Sequence, residues 1–193
     1  GRNDPCHPAP DQYRTATNGA MSVGSESFLR ALAKAELKPV YLIAGPEALL
    51  VQECCDALRS RLRESGYSER IVIETDDGGF SWDELQHQGA SMSLFAARRV
   101  LDLRLPTGKP GKEGSQAIIT YCASPPPDTV LLISSLEWSS KHGGKWSEAV
   151  EQCGQMVTAA TVRPSDIGAW IGQRMHANGI RASAEALQIL NQR

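Results

Sequence analysis

Val40-Tyr41-Leu42-Ile43-Ala44-Gly45-Pro46-Glu47 is the stretch whose reading decides the fold: five apolar residues without a polar break, then a glycine-proline turn. So short a run, rich in β-branched and aromatic side chains, reads as a strand buried on both faces. Directly after the turn, apolar residues recur at 50, 51, 54, 55, 58 and 62 with helical spacing. Arg59, Arg61 and Arg63 stand near the end of that helix, where positive charge complements the dipole, and Gly66 stops it.

Working outward, Ser27 is expected to cap a preceding helix whose face is Phe28, Leu29, Leu32 and Ala33, with Pro39 ending it. Downstream, Ile71-Val72-Ile73 reads as a second strand, and Ser81 with Glu84 forms a capping box that opens a short helix through Trp82 and Leu85. Further strands are expected over 100–105, 129–134 and 156–160, with a loop over 107–115, a short helix over 117–122 and another over 146–153. Strands that are short apolar runs, separated by helices, indicate an α/β fold: a parallel sheet with helices on both faces. Beyond Pro164 the pattern is helical throughout. Ser165 and Asp166 can cap a helix carrying Ile167, Trp170, Ile171 and Met175, Gly179 closes it, and Ser183 starts another with Leu187 and Leu190. The expected organisation is a polar, proline-rich tag, linker or disordered leader over 1–20, one domain over 21–163, and the truncated beginning of a second, helical domain over 164–193.

At 193 residues, 41% hydrophobic and 22% charged, the composition is that of an ordinary globular chain. A net charge of -2 argues against a protein that coats nucleic acid electrostatically, so any DNA contact is expected to be indirect or weak. Cys6, Cys54, Cys55, Cys122 and Cys153 show no CxxC pair and no zinc spacing, and read as reduced thiols of a cytoplasmic protein. Adjacent helical residues point about 100° apart, which disfavours a Cys54–Cys55 disulfide. No metal, cofactor or membrane span is expected.

The place for phosphate chemistry in such a fold is the turn out of the first strand, where a P-loop reads G-x-x-x-x-G-K-[ST]. Counting from Gly45, the second glycine is replaced by Leu50, the lysine by Val51 and the metal-binding hydroxyl by Gln52, while Glu47 adds negative charge where an anion would sit. The turn is either a degenerate P-loop or an ordinary strand-to-helix connection, and in neither case does it support ATP hydrolysis. Asp102 lies inside its strand rather than at the end, where a magnesium-holding carboxylate would stand, and reads as structural. No Ser/His/Asp or Cys/His arrangement is evident, no catalytic residue is assigned, and Asp76-Asp77 falls in a glycine-rich turn.

One segment is odd on physical grounds: Met92-Ser93-Leu94-Phe95 places large apolar residues where a helix end and loop are expected, just before a strand. Leu94 and Phe95 are either core side chains or an exposed plug for a partner's pocket. This segment, with the Tyr41–Gly45 strand and the degenerate loop after it, resembles the delta subunit of the bacterial DNA polymerase III clamp loader, from about Phe28 onward. The resemblance implies an AAA+-like module without working nucleotide motifs, then a helical lid and a collar. It implies binding of the sliding clamp, the beta subunit, through a hydrophobic plug of Leu94 and Phe95 flanked by Met92 and Ser93, and opening of one ring interface during DNA replication. Such a chain is no enzyme by itself, though it serves a DNA polymerase. In full length it would join the other clamp-loader subunits through the collar. The competing readings are a P-loop nucleotide-binding enzyme and a scaffold domain in which Leu94 and Phe95 are buried.

Overall fold

The computed structural model describes residues 22–75, 81–83, 85, 98–139, 141–162, 166–177, 179–181, 183, 185, 186 and 189. Within them the strands are β1 (Val23–Gly24), β2 (Val40–Ala44), β3 (Tyr67–Glu74), β4 (Arg98–Arg104), β5 (Thr129–Ser135) and β6 (Gln155–Thr158). The helices are α1 (Ser25–Leu32), α2 (Ala48–Glu64), α3 (Gly111–Ala123), α4 (Lys145–Cys153) and α5 (Ile167–Ala177). The strands form one parallel sheet in the order β1-β6-β2-β5-β4-β3. None of the described helices is long and apolar enough to cross a membrane.

All five side chains of β2 are buried, because the strand lies between β5 and β6 and both faces of the sheet are covered. Successive side chains alternate between faces. Tyr41 and Ile43 pack with Phe28 and Leu32 of α1 and with Leu50, Val51, Cys54, Cys55, Leu58 and Leu62 of α2. Val40, Leu42 and Ala44 face the other way, into a core completed by Ala117, Ile118 and Tyr121 of α3 and Trp146 and Val150 of α4. The six apolar positions read on α2 are all buried, as the helical spacing predicts. Cys54 and Cys55 are free thiols.

Several boundaries differ from the sequence expectation. The sheet has six strands rather than five, since β1 is two residues long and carries no periodicity. β3 extends well beyond Ile71–Ile73: as an edge strand it pairs with β4 alone, and Ile73 is its only fully buried residue, so its ends are polar. Helix α1 begins at Ser25, leaving Ser27 inside it, and Ala33 is an exposed cap residue. Helix α3 begins at Gly111, inside the segment expected to be a loop. One of its two glycines is required by packing, because a Cβ on Gly114 would meet the Trp82 ring at 2.3 Å. The strand expected over 156–160 is displaced to Gln155–Thr158.

Asp83 donates its backbone N–H to Ser81 Oγ at 3.3 Å in the short helical stretch that includes Trp82 and Leu85, while Glu84, the other half of the expected capping box, lies outside the described residues. Other expectations hold. Gly179, at φ +71, follows α5 with the Ile180 N–H on Met175 O at 2.7 Å, so the left-handed glycine closes the helix. Ser183 Oγ accepts the Ala186 N–H at 3.2 Å, as an N-cap does.

A charge cluster crosses the α2 face of the sheet. Asp102 of β4 is fully buried, and its Oδ2 accepts from Arg59 Nε at 3.0 Å and from Arg70 Nε at 2.8 Å. Arg59 also reaches Asp56 at 2.7 Å. Removing a buried carboxylate from beneath its partners strands their charge at a cost of about 3 to 5 kcal/mol. Asp102→Ala is therefore expected to lower stability by that amount. Arg70→Ala is expected to cost only about 1 to 2 kcal/mol, because the Arg70 side chain is 41% exposed and Arg59 stays on the carboxylate. Urea unfolding of the two variants checks this; equal midpoints would contradict it.

Candidate functional site

The turn that joins β2 to α2 is held by backbone bonds on both sides. Gly45 donates its N–H to Ser135 O at 3.2 Å, and Ala159 donates to Ala44 O at 2.9 Å. The crossing is so close that a Cβ on Gly45 would lie 2.0 Å from Ala159 O. Glycine is thus demanded at this position by the neighbouring chain, whether or not a phosphate ever approaches it. Helix α2 starts at Ala48 with Glu47 as its cap residue.

The positions that would contact a nucleotide are used otherwise. Leu50 and Val51 point into the core against Phe28, Tyr41 and Ile43. Gln52 is exposed and donates from Nε2 to Asp56 Oδ2, one turn along its own helix, at 3.0 Å. Only Gly45 of the four motif positions keeps the residue type of a P-loop.

Two clefts lined by described residues lie beside the start of α2. One, of about 450 Å³, lies between the start of α1, the segment after β6 and α5; Leu50 and Trp170 line it together with the acidic residues Glu26 and Asp166. Arg174 stacks over the Trp170 ring at 4.2 Å and pairs with Glu53. The other, of about 300 Å³, lies between α2 and the ends of β4 and β5, lined by Val51, Gln52, Cys55, Arg59, Arg104 and Ser135 among others. Its two arginines are already engaged, Arg59 by Asp56 and Asp102, and Arg104 by Glu74 at 2.5 Å. Among the described residues no three His, Cys, Asp or Glu side chains come together as a metal site.

The structure also brings together a Ser–His contact that the spacing alone does not reveal. Ser139 Oγ lies 2.9 Å from His142 Nδ1, but the Ser139 backbone N–H donates to the same nitrogen at 2.9 Å. The contact spans three residues of one exposed loop and locks that turn. Sequence reasoning missed the partners of Asp102: Arg59 was assigned only to the helix dipole, although a carboxylate inside an apolar strand requires a nearby cation.

Met92, Ser93, Leu94 and Phe95 lie outside the described residues, as do Asp76 and Asp77. Leu85 and Arg98 are the nearest described residues on either side. Leu85 is fully buried against the α3 face. Arg98 opens β4, with its guanidinium 5.6 Å from the Tyr67 ring centre, 3.0 Å from Asp128 Oδ1 and 3.1 Å from Ser65 O. In a parallel sheet all strands start at one end, so Arg98 stands at the end opposite Gly45, which follows the last residue of β2.

A family model for the DNA polymerase III delta subunit matches residues 41–160. The chain is 26% identical over 163 residues to DNA polymerase III subunit delta of Escherichia coli strain K12, covering 84% of this chain and 47% of that protein. It is likewise 26% identical over 161 residues to the same subunit of Haemophilus influenzae, covering 80% and 45%. It therefore spans about half the length of these relatives. Among solved structures, the Bacillus subtilis DNA clamp loader delta protein shares the fold with a TM-score of 0.65 at 20% identity, over 86% of this chain and 51% of that one.

The geometry of the turn gives two expected outcomes. Titration of ATP with magnesium into the protein is expected to give no heat of binding at about micromolar affinity, since Val51 and Gln52 supply neither cation nor hydroxyl; a micromolar dissociation constant by calorimetry would contradict it. Gly45→Ala is expected to lower stability by about 1 to 3 kcal/mol through the forced shift of the Ala159 backbone, a loss visible in thermal unfolding without any ligand.

Proposed function

Because the chain belongs to the DNA polymerase III delta subunit family, we propose that it binds the ring-shaped sliding clamp through Met92, Ser93, Leu94 and Phe95 and opens one ring interface during DNA replication, hydrolysing no ATP itself. The observation that carries this reading is the family match over 41–160, which contains the whole Met92–Phe95 segment. In it, Leu94 and Phe95 are the anchors that enter an apolar pocket on the clamp, and Met92 and Ser93 flank them. The domain over 21–163 is the clamp-binding module, residues 164–193 begin the helical lid, and residues 1–20 are a tag, linker or leader. In the longer protein the other clamp-loader subunits are partners, DNA is contacted weakly or through them, and the setting is the cytoplasm.

Two features of the described residues support the assignment. Leu85 and Arg98 are both fixed, one by burial and the other by Asp128, Ser65 and Tyr67, so the intervening segment is tethered at both ends to a rigid module. Tethering of this kind limits the entropy lost when an apolar anchor docks. Leu50 and Val51 fill core space beneath the turn at Gly45, which is consistent with a module that contributes binding and no phosphate chemistry.

Truncating one buried interface anchor to Ala typically costs about 2 to 4 kcal/mol of binding. The Leu94→Ala, Phe95→Ala double variant is expected to weaken clamp binding by at least about 4 kcal/mol, roughly a thousandfold. Its stability is expected to change by about 0.5 kcal/mol or less, whereas two core truncations would cost several kcal/mol each. Clamp affinity and thermal unfolding measured in one buffer check this. Full affinity, or collapse of the fold, would sink the reading.

A further inference from the structure

The Trp82 ring lies on bare backbone. Gly114 is buried near the start of α3, and a Cβ there would stand 2.3, 2.5 and 2.7 Å from Cζ2, Cε2 and Cη2 of Trp82. Those atoms belong to the outer ring of the indole, so glycine alone leaves room for it. Gly111, the other glycine of α3, has nothing within 4 Å of its Cβ position. Trp82 and Leu85 are three residues apart in their short helical stretch and therefore share a face. Leu85 is fully buried in the core that Ala117, Ile118 and Tyr121 of α3 help to form, and Trp82 packs partly buried against the same core. Two side chains thus key this stretch to α3, and Leu85 is the last described residue before Met92–Phe95.

We propose that Trp82 and Gly114 are positioning residues for binding of the sliding clamp: the ring-on-glycine contact fixes, against α3, the point from which the chain runs on to the Leu94 and Phe95 anchors. The proposal rests on the clamp-binding reading above and adds to it the pair that aims the anchors. Neither residue is assigned a contact with the clamp. An anchor whose approach is fixed before docking loses less freedom on binding than one on a loose tether. With the ring lifted from α3, the nearest fixed residue before the anchors moves back to Thr75, whose Oγ1 donates to Arg104 O at 3.2 Å. A longer free span lowers the fraction of time that the anchors spend in the docking geometry.

A methyl group at 114 separates this role from a general contribution to the fold. Helix α3 is held by Ala117, Ile118, Tyr121 and Cys122 in the core, whereas the atoms that the methyl meets are the far end of the Trp82 side chain. The ring gives way and the helix stays. Alanine also suits a helix interior better than glycine, so α3 itself is not weakened by the change. Clamp binding then falls while the sheet and its helices remain as stable as before.

The test measures affinity for purified sliding clamp by calorimetry, and thermal unfolding in the same buffer, on the full chain. Gly114→Ala is expected to bind about tenfold more weakly, with a melting temperature within about two degrees of the unsubstituted protein. Trp82→Ala is expected to weaken binding to a similar extent. The Gly114→Ala, Trp82→Phe variant is expected to recover most of the loss, because phenylalanine lacks the outer indole ring that the methyl meets. Leu94→Ala, Phe95→Ala is the reference. Full affinity in that reference overturns the clamp-binding reading, and the positioning role with it. Lost affinity in the reference beside unchanged affinity in Gly114→Ala or Trp82→Ala overturns the positioning role alone. So does a Gly114→Ala, Trp82→Phe protein as weak as Gly114→Ala, or a Gly114→Ala protein that melts many degrees lower, since α3 and not the ring would then have given way.

Discussion

Burial of Val40–Ala44 on both faces is the constraint from which the rest of the molecule follows. Each large apolar side chain fully removed from water contributes about 1.5 to 3 kcal/mol, and β2 supplies four of them to two separate cores. A strand with no solvent face must have a hydrogen-bonded neighbour on each side and helices above and below. The parallel partners β5 and β6 and the four helices α1 to α4 satisfy those requirements. Gly45 inherits the constraint directly. It follows a strand so tightly enclosed that the Ala159 backbone crosses where a side chain would begin.

That enclosure changes the meaning of the residues that occupy the P-loop positions. Leu50 and Val51 are more than the absence of glycine and lysine, because their side chains are part of the core formed by α1, α2 and one face of β2. Restoring a lysine at 51 would place a charge among Phe28, Tyr41 and Ile43, where burial without a partner costs several kcal/mol. The apolar residues therefore stabilise the module at the positions where a P-loop would carry its second glycine and its lysine. The segment that carries Leu94 and Phe95 rejoins the sheet at Arg98, at the far end.

How much of this was legible in the sequence depended on where each segment sits. β2 and α2 were read with their full set of buried positions, because a doubly covered strand and a helix with one buried face leave strong periodicities. β3 was read only at its centre, since an edge strand can carry polar residues on both sides of Ile73. The first turn of α3 was hidden by glycines, and the position of Gly114 against Trp82 is a tertiary fact that no local pattern encodes. At the turn itself, the loss of the phosphate ligands was plain from spacing. That Gly45 is retained for backbone clearance was not, since Ala159 is more than a hundred residues away in sequence. The reading of Met92–Phe95 rests on a resemblance in residue identity, a signal independent of periodicity, and those residues lie outside the described ones.

The carboxyl ends of the strands in an open α/β sheet form the crevice where ligands usually bind. Here the crevice beside α2 contains Arg59 and Arg104, which taken alone would make an anion site. Their charges are met from within the protein: Asp102 and Asp56 engage Arg59, Glu74 engages Arg104, and Arg70 balances the remaining carboxylate. Three acidic groups against three arginines leave the cluster neutral. An arriving anion would have to displace charge-assisted bonds already made, one of them to a carboxylate with no access to water. The same pairs tie α2 and the edge strand β3 to β4, so the crevice that could have held a ligand serves to fix the sheet.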